Sequence, residues 1–295
     1  MNATVRSIML GAGAAATASR ACAEVLDRAP ASLLTHLARR NFRGEHVTLA
    51  EGIEVASALT AGALVSLGAK SAAAMALVGA VGLGDDVLEP VLMRGGEAPP
   101  KGLKGHVGAL AHGRLTTGNV KILGIAAAAG VLARECASAR GERGADASCS
   151  STALAVVDCG LDTVLIAASA NLANLFDLRP SRALKATTLG AILALAGPSG
   201  ATSSRARARL ASAHAAAMLL AAPRDFGARG MLGDAGANVL GANAGAMAAL
   251  SSSRGFRGAM ACVAVSLTLL SERVSFTRLI ASSEVLTAID EWGRS

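Results

Sequence analysis

Three polar stretches carry side chains whose types and spacing suit chemistry. Asp85 and Asp86 are adjacent in GLGDDVLEP at 82–90. Neighbouring carboxylates repel, so such a pair at the edge of an apolar segment calls for a cation or a basic partner. With no Cys or His on the same turn, oxygen-only ligation suits Mg²⁺ better than zinc; the bland alternative is a pair of polar caps at a helix end. Asn171, Asn174 and Asp177 recur at i, i+3 and i+6 in NLANLFDLRPSRALK, close enough to share a helix face, with Arg179, Arg182 and Lys185 directly after. An Asn pair in an otherwise apolar helix is costly unless hydrogen-bonded, which implies a polar cavity. Gly233-Asp234-Ala235-Gly236 places one carboxylate at a helix start, where free backbone N–H groups could bind an anion and Asp234 could orient a metal or a neighbouring Lys.

Two further clusters accompany the acids. KGLKGHVGALAHGRLTTGNVK at 101–121 spaces Lys101, Lys104, His106 and Arg114 with glycine, a composition able to hold phosphates, although alone it would read as a basic juxtamembrane loop. Asn41-Phe42-Arg43-Gly44 with Val47, Thr48 and Gly52 precedes the second apolar segment. Carboxylates for a divalent ion beside cations for oxyanions are what phosphoryl transfer requires. A cation-coupled transporter would hold its acids near mid-membrane. Here they fall at segment ends, which favours chemistry at the interface.

The elements that position these residues follow from composition. The 295 residues are 52% hydrophobic, only 17% charged and 2% aromatic, and mean hydropathy is +0.47. A soluble domain carries about 25% charge, so this chain lacks the means to cover a water-facing surface. The same numbers exclude disorder, and five Cys are too sparse for a disulfide scaffold. The expected fold is all-α: a polytopic transmembrane bundle of about nine helices, with eight or ten as alternatives, forming a single integral membrane domain over 1–295. Apolar segments lie near 4–22, 50–68, 71–90, 118–134, 153–174, 184–198, 208–222, 232–250 and 256–272, several at the lower limit of the ~20 residues a span needs. Alanine-rich helices of this kind depend on close packing, and Gly241 with Gly245 has the small-xxx-small spacing that permits it. The N-terminal run reads as a first helix rather than a cleaved signal, because Arg20 interrupts its small-residue end.

Basic residues orient the chain. The net charge of +7 has nucleic acid, anionic lipid or an anionic substrate as general explanations, but in a membrane protein it first reports the cytoplasmic side. With residue 1 outside, 18 of the 28 Lys and Arg fall on the cytoplasmic face, opposed by Arg134, Arg140, Arg143, Arg205, Arg207 and Arg209 among others. All the polar clusters then share that face, as site loops 39–52, 84–121, 171–185 and 229–238.

With these motifs in order, the chain resembles the polyprenyl-phosphate sugar-1-phosphate transferase superfamily (glycosyltransferase family 4), which includes phospho-MurNAc-pentapeptide translocase and bacterial GlcNAc-1-phosphate transferases. Asp85 and Asp86 match its Asp-Asp at a helix end. Asn171, Asn174, Leu175 and Asp177 match N-x-x-N-L-x-D, and Gly233 to Gly236 match G-D-A/T-G; together the motifs cover about 40–240. The resemblance implies a multi-pass protein of the bacterial cytoplasmic membrane with its site facing the cytoplasm. It implies Mg²⁺-dependent transfer of a sugar-1-phosphate from a UDP-sugar to an undecaprenyl-type phosphate, with release of UMP, in cell-wall glycan biogenesis. Asp85, Asp86 and Asp177 are then the expected catalytic residues. Arg43, Lys101, Lys104, His106, Asn171, Asn174, Arg179 and Gly233 would bind substrates, and Asp177 with Asp234 would hold the metal. The expected partners are the lipid phosphate, the nucleotide sugar and the bilayer, with a homodimer left open and no nucleic acid.

Two departures mark a divergent branch. The family continues its third motif as D-G-x-D-G, whereas Asp177 is followed by Leu178-Arg179-Pro180-Ser181, and the tail at 271–283 lacks the family's His-rich loop. The rival reading is a catalytically inactive relative that binds a polyprenyl lipid or serves as a regulatory subunit; a transporter comes third. Elsewhere, Cys136 and Cys149 read either as a disulfide or as free thiols, Asp158 or Asp162 as a partner of outer Arg residues, and Trp292 as an anchor at the inner interface.

Overall fold

The computed structural model describes residues 2–40, 44–93, 105, 108, 112, 116–141 and 149–294. Among these the chain forms twelve helices: α1 (Ala3–Asp27), α2 (Ala31–His36), α3 (Ala50–Leu67), α4 (Ala69–Met93), α5 (Thr117–Arg140), α6 (Cys149–Phe176), α7 (Arg182–Leu195), α8 (Ala201–Asp225), α9 (Gly233–Ala249), α10 (Arg254–Ser271), α11 (Phe276–Ala281) and α12 (Glu284–Glu291). Each of the nine apolar segments overlaps one of these helices, the 184–198 segment running three residues past the end of α7, and the helix count exceeds the nine expected and the alternatives of eight and ten. The three beyond that expectation, α2, α11 and α12, are short and lie in stretches too polar to register as apolar runs. A two-stranded antiparallel hairpin, β1 (Ala38–Arg40) with β2 (His46–Thr48), also departs from an all-helical reading. Val47 is the buried residue of β2, and β2 is held from outside the hairpin by the Met231 N–H donating to the Thr48 carbonyl at 3.1 Å. Tertiary contact, more than local propensity, makes these strands.

Four helical stretches, Ala50–Leu67, Ala69–Leu88, Thr117–Arg140 and Ala153–Phe176, are long and apolar enough to cross a membrane. The third of these is capped at both ends. Thr116 accepts the Asn119 N–H with its side chain at the start of α5, and Gly141 closes that helix in the left-handed region.

At the centre stands α9, in which every residue except Asp234 is buried. It is built from Gly, Ala and Asn with few larger side chains, so neighbouring helices approach its backbone. A Cβ on Gly241 would lie 2.7 Å from the Ala170 Cα, and one on Gly245 would lie 2.8 Å from the Ile166 Cα. The small-xxx-small pair therefore seats α9 directly on α6, with dispersion contacts in place of bulky side chains.

One end of the helix assembly gathers arginines and carboxylates into closed ion pairs. Arg257, 1% exposed, donates a hydrogen bond to Asp158 at 2.9 Å and forms an ion pair with Asp162 at 2.9 Å. Arg140 reaches the fully buried Asp162 at 2.7 Å, and Arg254 clamps Asp158 with two bonds of 2.6 Å. An Arg partner was expected for one of Asp158 and Asp162; both have one, and the network joins α5, α6 and α10. Nearby, Arg209 donates to the Val65 carbonyl at 2.8 Å and Arg207 to the Gly197 and Pro198 carbonyls, so both satisfy backbone acceptors where α3 and α7 end. Cys136 is a buried free thiol donating to the Ala246 carbonyl.

Candidate functional site

The opposite end holds the carboxylates singled out in the sequence. Gly82 lets α4 pass close to the start of α9: a Cβ there would meet the Asp234 carbonyl oxygen at 2.6 Å. Three residues on, Asp85 meets Lys121 of α5 at 2.7 Å, and the same ammonium bonds Asp234. Asp86 takes a different partner, its Oδ2 accepting the backbone N–H of Asp234 at 2.8 Å. The anion at this helix start is thus the chain's own Asp86. Gly233 makes the arrangement feasible, since its φ is +56° and a Cβ would meet Asp86 Oδ2 at 2.7 Å. Arg39 of the hairpin closes the group by donating to the Asp86 carbonyl oxygen.

Asp177 follows the last turn of α6, its N–H donating to the Asn174 carbonyl at 3.1 Å. Burial pushes its carboxyl well above the usual range, and the nearby carboxylates of Asp225, Asp234, Asp86 and Glu51 push it further. A small recess at this turn is lined by Asp177, Arg179, Pro180, Asp225, Gly230 and Met231. Asp225 holds the turn's shape: it accepts the Ser181 N–H at 2.6 Å, and Ser181 sits in the left-handed region at φ +68°. Burial also lifts the Asp225 carboxyl, to about 6, even though the Ser181 N–H pulls it down.

The sequence-derived residues therefore divide. Asp85, Asp86, Gly233 and Asp234 are in mutual contact, with Asp177 in electrostatic reach. Arg179 is exposed beside the Asp177 recess, Asn174 is half-buried, and Asn171, one turn earlier on α6, is exposed. Arg43, Lys101, Lys104 and His106 lie outside the described residues.

The structure adds several residues. Lys121, read from sequence as the end of a basic loop, sits one turn inside the apolar α5, and a lone Lys at that depth was the available signal. Glu51 and Glu54 share a face of α3. Glu54 pairs with Arg224 at 3.0 Å, while Glu51 is 0% exposed, with both oxygens free of hydrogen bonds among the described residues and the Arg224 guanidinium 3.9 Å away. Asn238, one turn beyond Asp234, is buried with its amide unpartnered among the described residues. Charged or amide residues just inside apolar helices mark all of them.

For a divalent cation, the donors here are hard oxygens and negative charge around Asp177 is in excess, which suits Mg²⁺ chemically. Among the described residues no three His, Cys, Asp or Glu converge on one point. Mg²⁺ characteristically takes one or two carboxylates and completes its shell with substrate phosphates and water, so it does not require three converging protein ligands; the Asp234 carboxylate is held by Lys121 here.

Two apolar grooves run from this end. One, of about 510 Å³, lies between α3 and α4 and reaches Ala235, the neighbour of Asp234. The other, of about 280 Å³, follows α6, α7 and α10 and reaches Phe176, the neighbour of Asp177. No family model, no curated protein and no solved structure matches the chain.

Proposed function

We propose that the chain is a multi-pass membrane phosphotransferase that moves a sugar-1-phosphate from a UDP-sugar to a polyprenyl phosphate, releasing UMP, in bacterial cell-envelope glycan synthesis. The observation that carries this reading is the meeting of Asp85, Asp86, Lys121 and Asp234 from three helices, with Asp177 within electrostatic reach of Asp86 and Asp234. Apolar grooves ending at Ala235 and Phe176 add room for a lipid tail whose phosphate would stand at the acids.

In the reaction, an oxygen of the lipid phosphate attacks the β-phosphorus of the nucleotide sugar. The bond from that phosphorus to the bridging oxygen breaks, UMP leaves with the electron pair, and the sugar remains on a new polyprenyl diphosphate. A phosphate monoester, with a second pKa of about 6, is already largely ionised near neutrality. The main task is therefore to bring two anions together, with base catalysis secondary. Lys121 supplies fixed positive charge between Asp85 and Asp234, and Arg179 offers more at the recess edge. Asp85 orients Lys121, and Asp86 fixes the start of α9 so that the Asp234 carboxylate faces the same space. Asp177 and Asp234 would hold Mg²⁺, which would supply charge neutralisation on the diphosphate.

The site is assigned to the cytoplasmic face. The basic excess lies on its side, and Arg140, Arg207, Arg209, Arg254 and Arg257, which oppose that count, are engaged with carboxylates or helix-terminal carbonyls at the other end.

One observation favours a second reading, a catalytically inactive polyprenyl-lipid-binding or regulatory subunit. Lys121 already bridges two of the acids, and Pro180 stands where the resembled family has its second Asp. The deciding experiment is UMP release by the purified chain with undecaprenyl phosphate, Mg²⁺ and a panel of UDP-sugars, beside the Asp85→Asn/Asp177→Asn double variant. Release that needs lipid and metal and disappears in the variant supports the transferase. Silence across the panel from folded, lipid-binding protein selects the inactive relative.

A further inference from the structure

The last helix, α12, has two faces of opposite character. At 100° per residue, Ala288, Trp292, Val285, Ile289 and Leu286 fall within roughly 160° of arc, and Thr287, Glu291 and Glu284 occupy the rest with Asp290 at the border. Val285, Leu286 and Ile289 are exposed, and Trp292 is 73% exposed. An apolar face of this kind on a short helix in water would be unfavourable.

The helix is not free to turn that face inward. Arg182 at the start of α7 grips Asp290 with two bonds, 2.8 Å to Oδ1 and 2.9 Å to Oδ2. Lys185 donates to the carbonyls of Ile289 at 2.9 Å and Asp290 at 2.8 Å, placing a cation where the helix dipole is negative. Just beyond the helix, Arg294 donates to the Pro180 carbonyl at 2.9 Å, which ties the segment to the turn that carries Asp177.

Lys185 also locates the exposed face. On α7 it shares a stripe with Leu189 and Ile192, at i+4 and i+7, and both are exposed large apolar residues. The α12 end bonded to Lys185 therefore continues the apolar outer stripe of α7. The segment 272–294 has four acids, Glu272, Glu284, Asp290 and Glu291, against Arg273, Arg278 and Arg294, so attraction to anionic headgroups is not what holds it. Trp292 is the chain's single tryptophan and there is no tyrosine; an indole with an apolar body and a polar N–H suits the headgroup level of a bilayer.

We propose that α12 lies in the membrane–water interface, with Val285, Ile289 and Trp292 inserted among the lipid headgroups and upper acyl chains, independently of headgroup charge. The same contacts that orient it set the height of the Asp177–Ser181 turn relative to the membrane surface. This inference needs only that the chain sits in a bilayer, and it stands whether or not transfer occurs.

The lone indole makes the test direct. The full chain is reconstituted in phosphatidylcholine vesicles and in vesicles whose phosphatidylcholine is brominated near the headgroup end of its acyl chains, and tryptophan emission is compared. Emission lower by roughly twofold in the brominated vesicles, with iodide quenching well below that of free indole, is expected for an interfacial residue. Equal emission in the two vesicles overturns the proposal, whether Trp292 is then open to iodide and in water, or shielded and covered by protein such as a second copy. Adding phosphatidylglycerol should leave the quenching unchanged, and a requirement for it overturns the apolar mode. The Val285→Glu/Ile289→Glu variant, at exposed positions, should red-shift the emission and lose the lipid quenching with the unfolding temperature preserved. Full quenching in that variant overturns the assignment of the face.

Discussion

Asp86 accepts the backbone N–H of Asp234 at 2.8 Å, so an acid of α4 serves as the N-terminal cap of α9. The adjacent Asp85 bonds Lys121 instead. Two carboxylates that are neighbours in the chain thus do separate work, one fixing a helix start and the other holding a cation. Their repulsion is reduced because each has its own positive partner, a backbone dipole for one and an ammonium for the other.

Gly233 is the residue on which that cap depends. Gly233→Ala would force a Cβ into the left-handed region and to within 2.7 Å of both Asp86 Oδ2 and Leu49 Cδ2. We expect a loss of about 2 kcal/mol of stability, typical of strained backbone, read as a lowered unfolding temperature in detergent. UMP release should fall with it, and an unchanged unfolding temperature would refute the packing argument.

Lys121 gives a sharper functional prediction. Lys121→Met leaves Asp85 and Asp234 without their shared cation and removes fixed positive charge from the place where anionic groups would meet. Lipid-dependent UMP release should drop by about 100-fold or more. Activity within a few-fold of the parent would remove Lys121 from the proposed mechanism.

Away from the site, Arg257→Met should be among the most damaging single changes. It removes one of the arginines paired with the fully buried Asp162 and one of those paired with Asp158. Removing one member of a buried ion pair costs about 3–5 kcal/mol. A double-mutant cycle with Asp162→Asn in thermal unfolding should show coupling of about 1–3 kcal/mol; additive effects would mean that the pair contributes separately.

The Ser181 turn should respond to pH. Burial raises the Asp225 carboxyl from 3.8 to about 6 in the folded chain. The raised folded value means that its stabilising contribution is complete below the unfolded value and is lost as pH rises through about 6. Across that window the unfolding free energy should fall by at most about 1.4 kcal/mol per pH unit from this group. Asp225→Asn retains an acceptor for the Ser181 N–H and should abolish that part of the slope. If the variant keeps the parent's full pH dependence, the titrating group lies elsewhere.

Much of the helical layout was readable because long apolar runs bounded by charge favour helices, and each such run falls on a helix, although among the described residues four of these helices, against the nine spans expected, are long and apolar enough to cross a membrane. The Gly241/Gly245 spacing foretold close approach to a neighbour, though not that the neighbour is α6. The motif acids were legible as a group, since costly residues at segment ends are few. Their pairing was not. Lys121, Arg39 and Asp225 lie 113, 47 and 44 residues along the chain from Asp234, Asp86 and Ser181, their respective partners, and such contacts arise only from how α4, α5, α8 and α9 pack. The hairpin escaped for the same reason, since its strands of three residues are held by the segment before α9.

The backbone contact of α9 with α6 along Gly241 and Gly245 has a mechanical consequence. Where two helices approach main chain to main chain, as at these two glycines, little flexible side chain lies between them to act as a cushion, which favours their moving together. Asp234 rises from the end of one member and Asp177 from the end of the other, which makes their separation a fixed gauge. In the proposed transfer, a reactant that engaged both carboxylates would have to match that gauge on arrival.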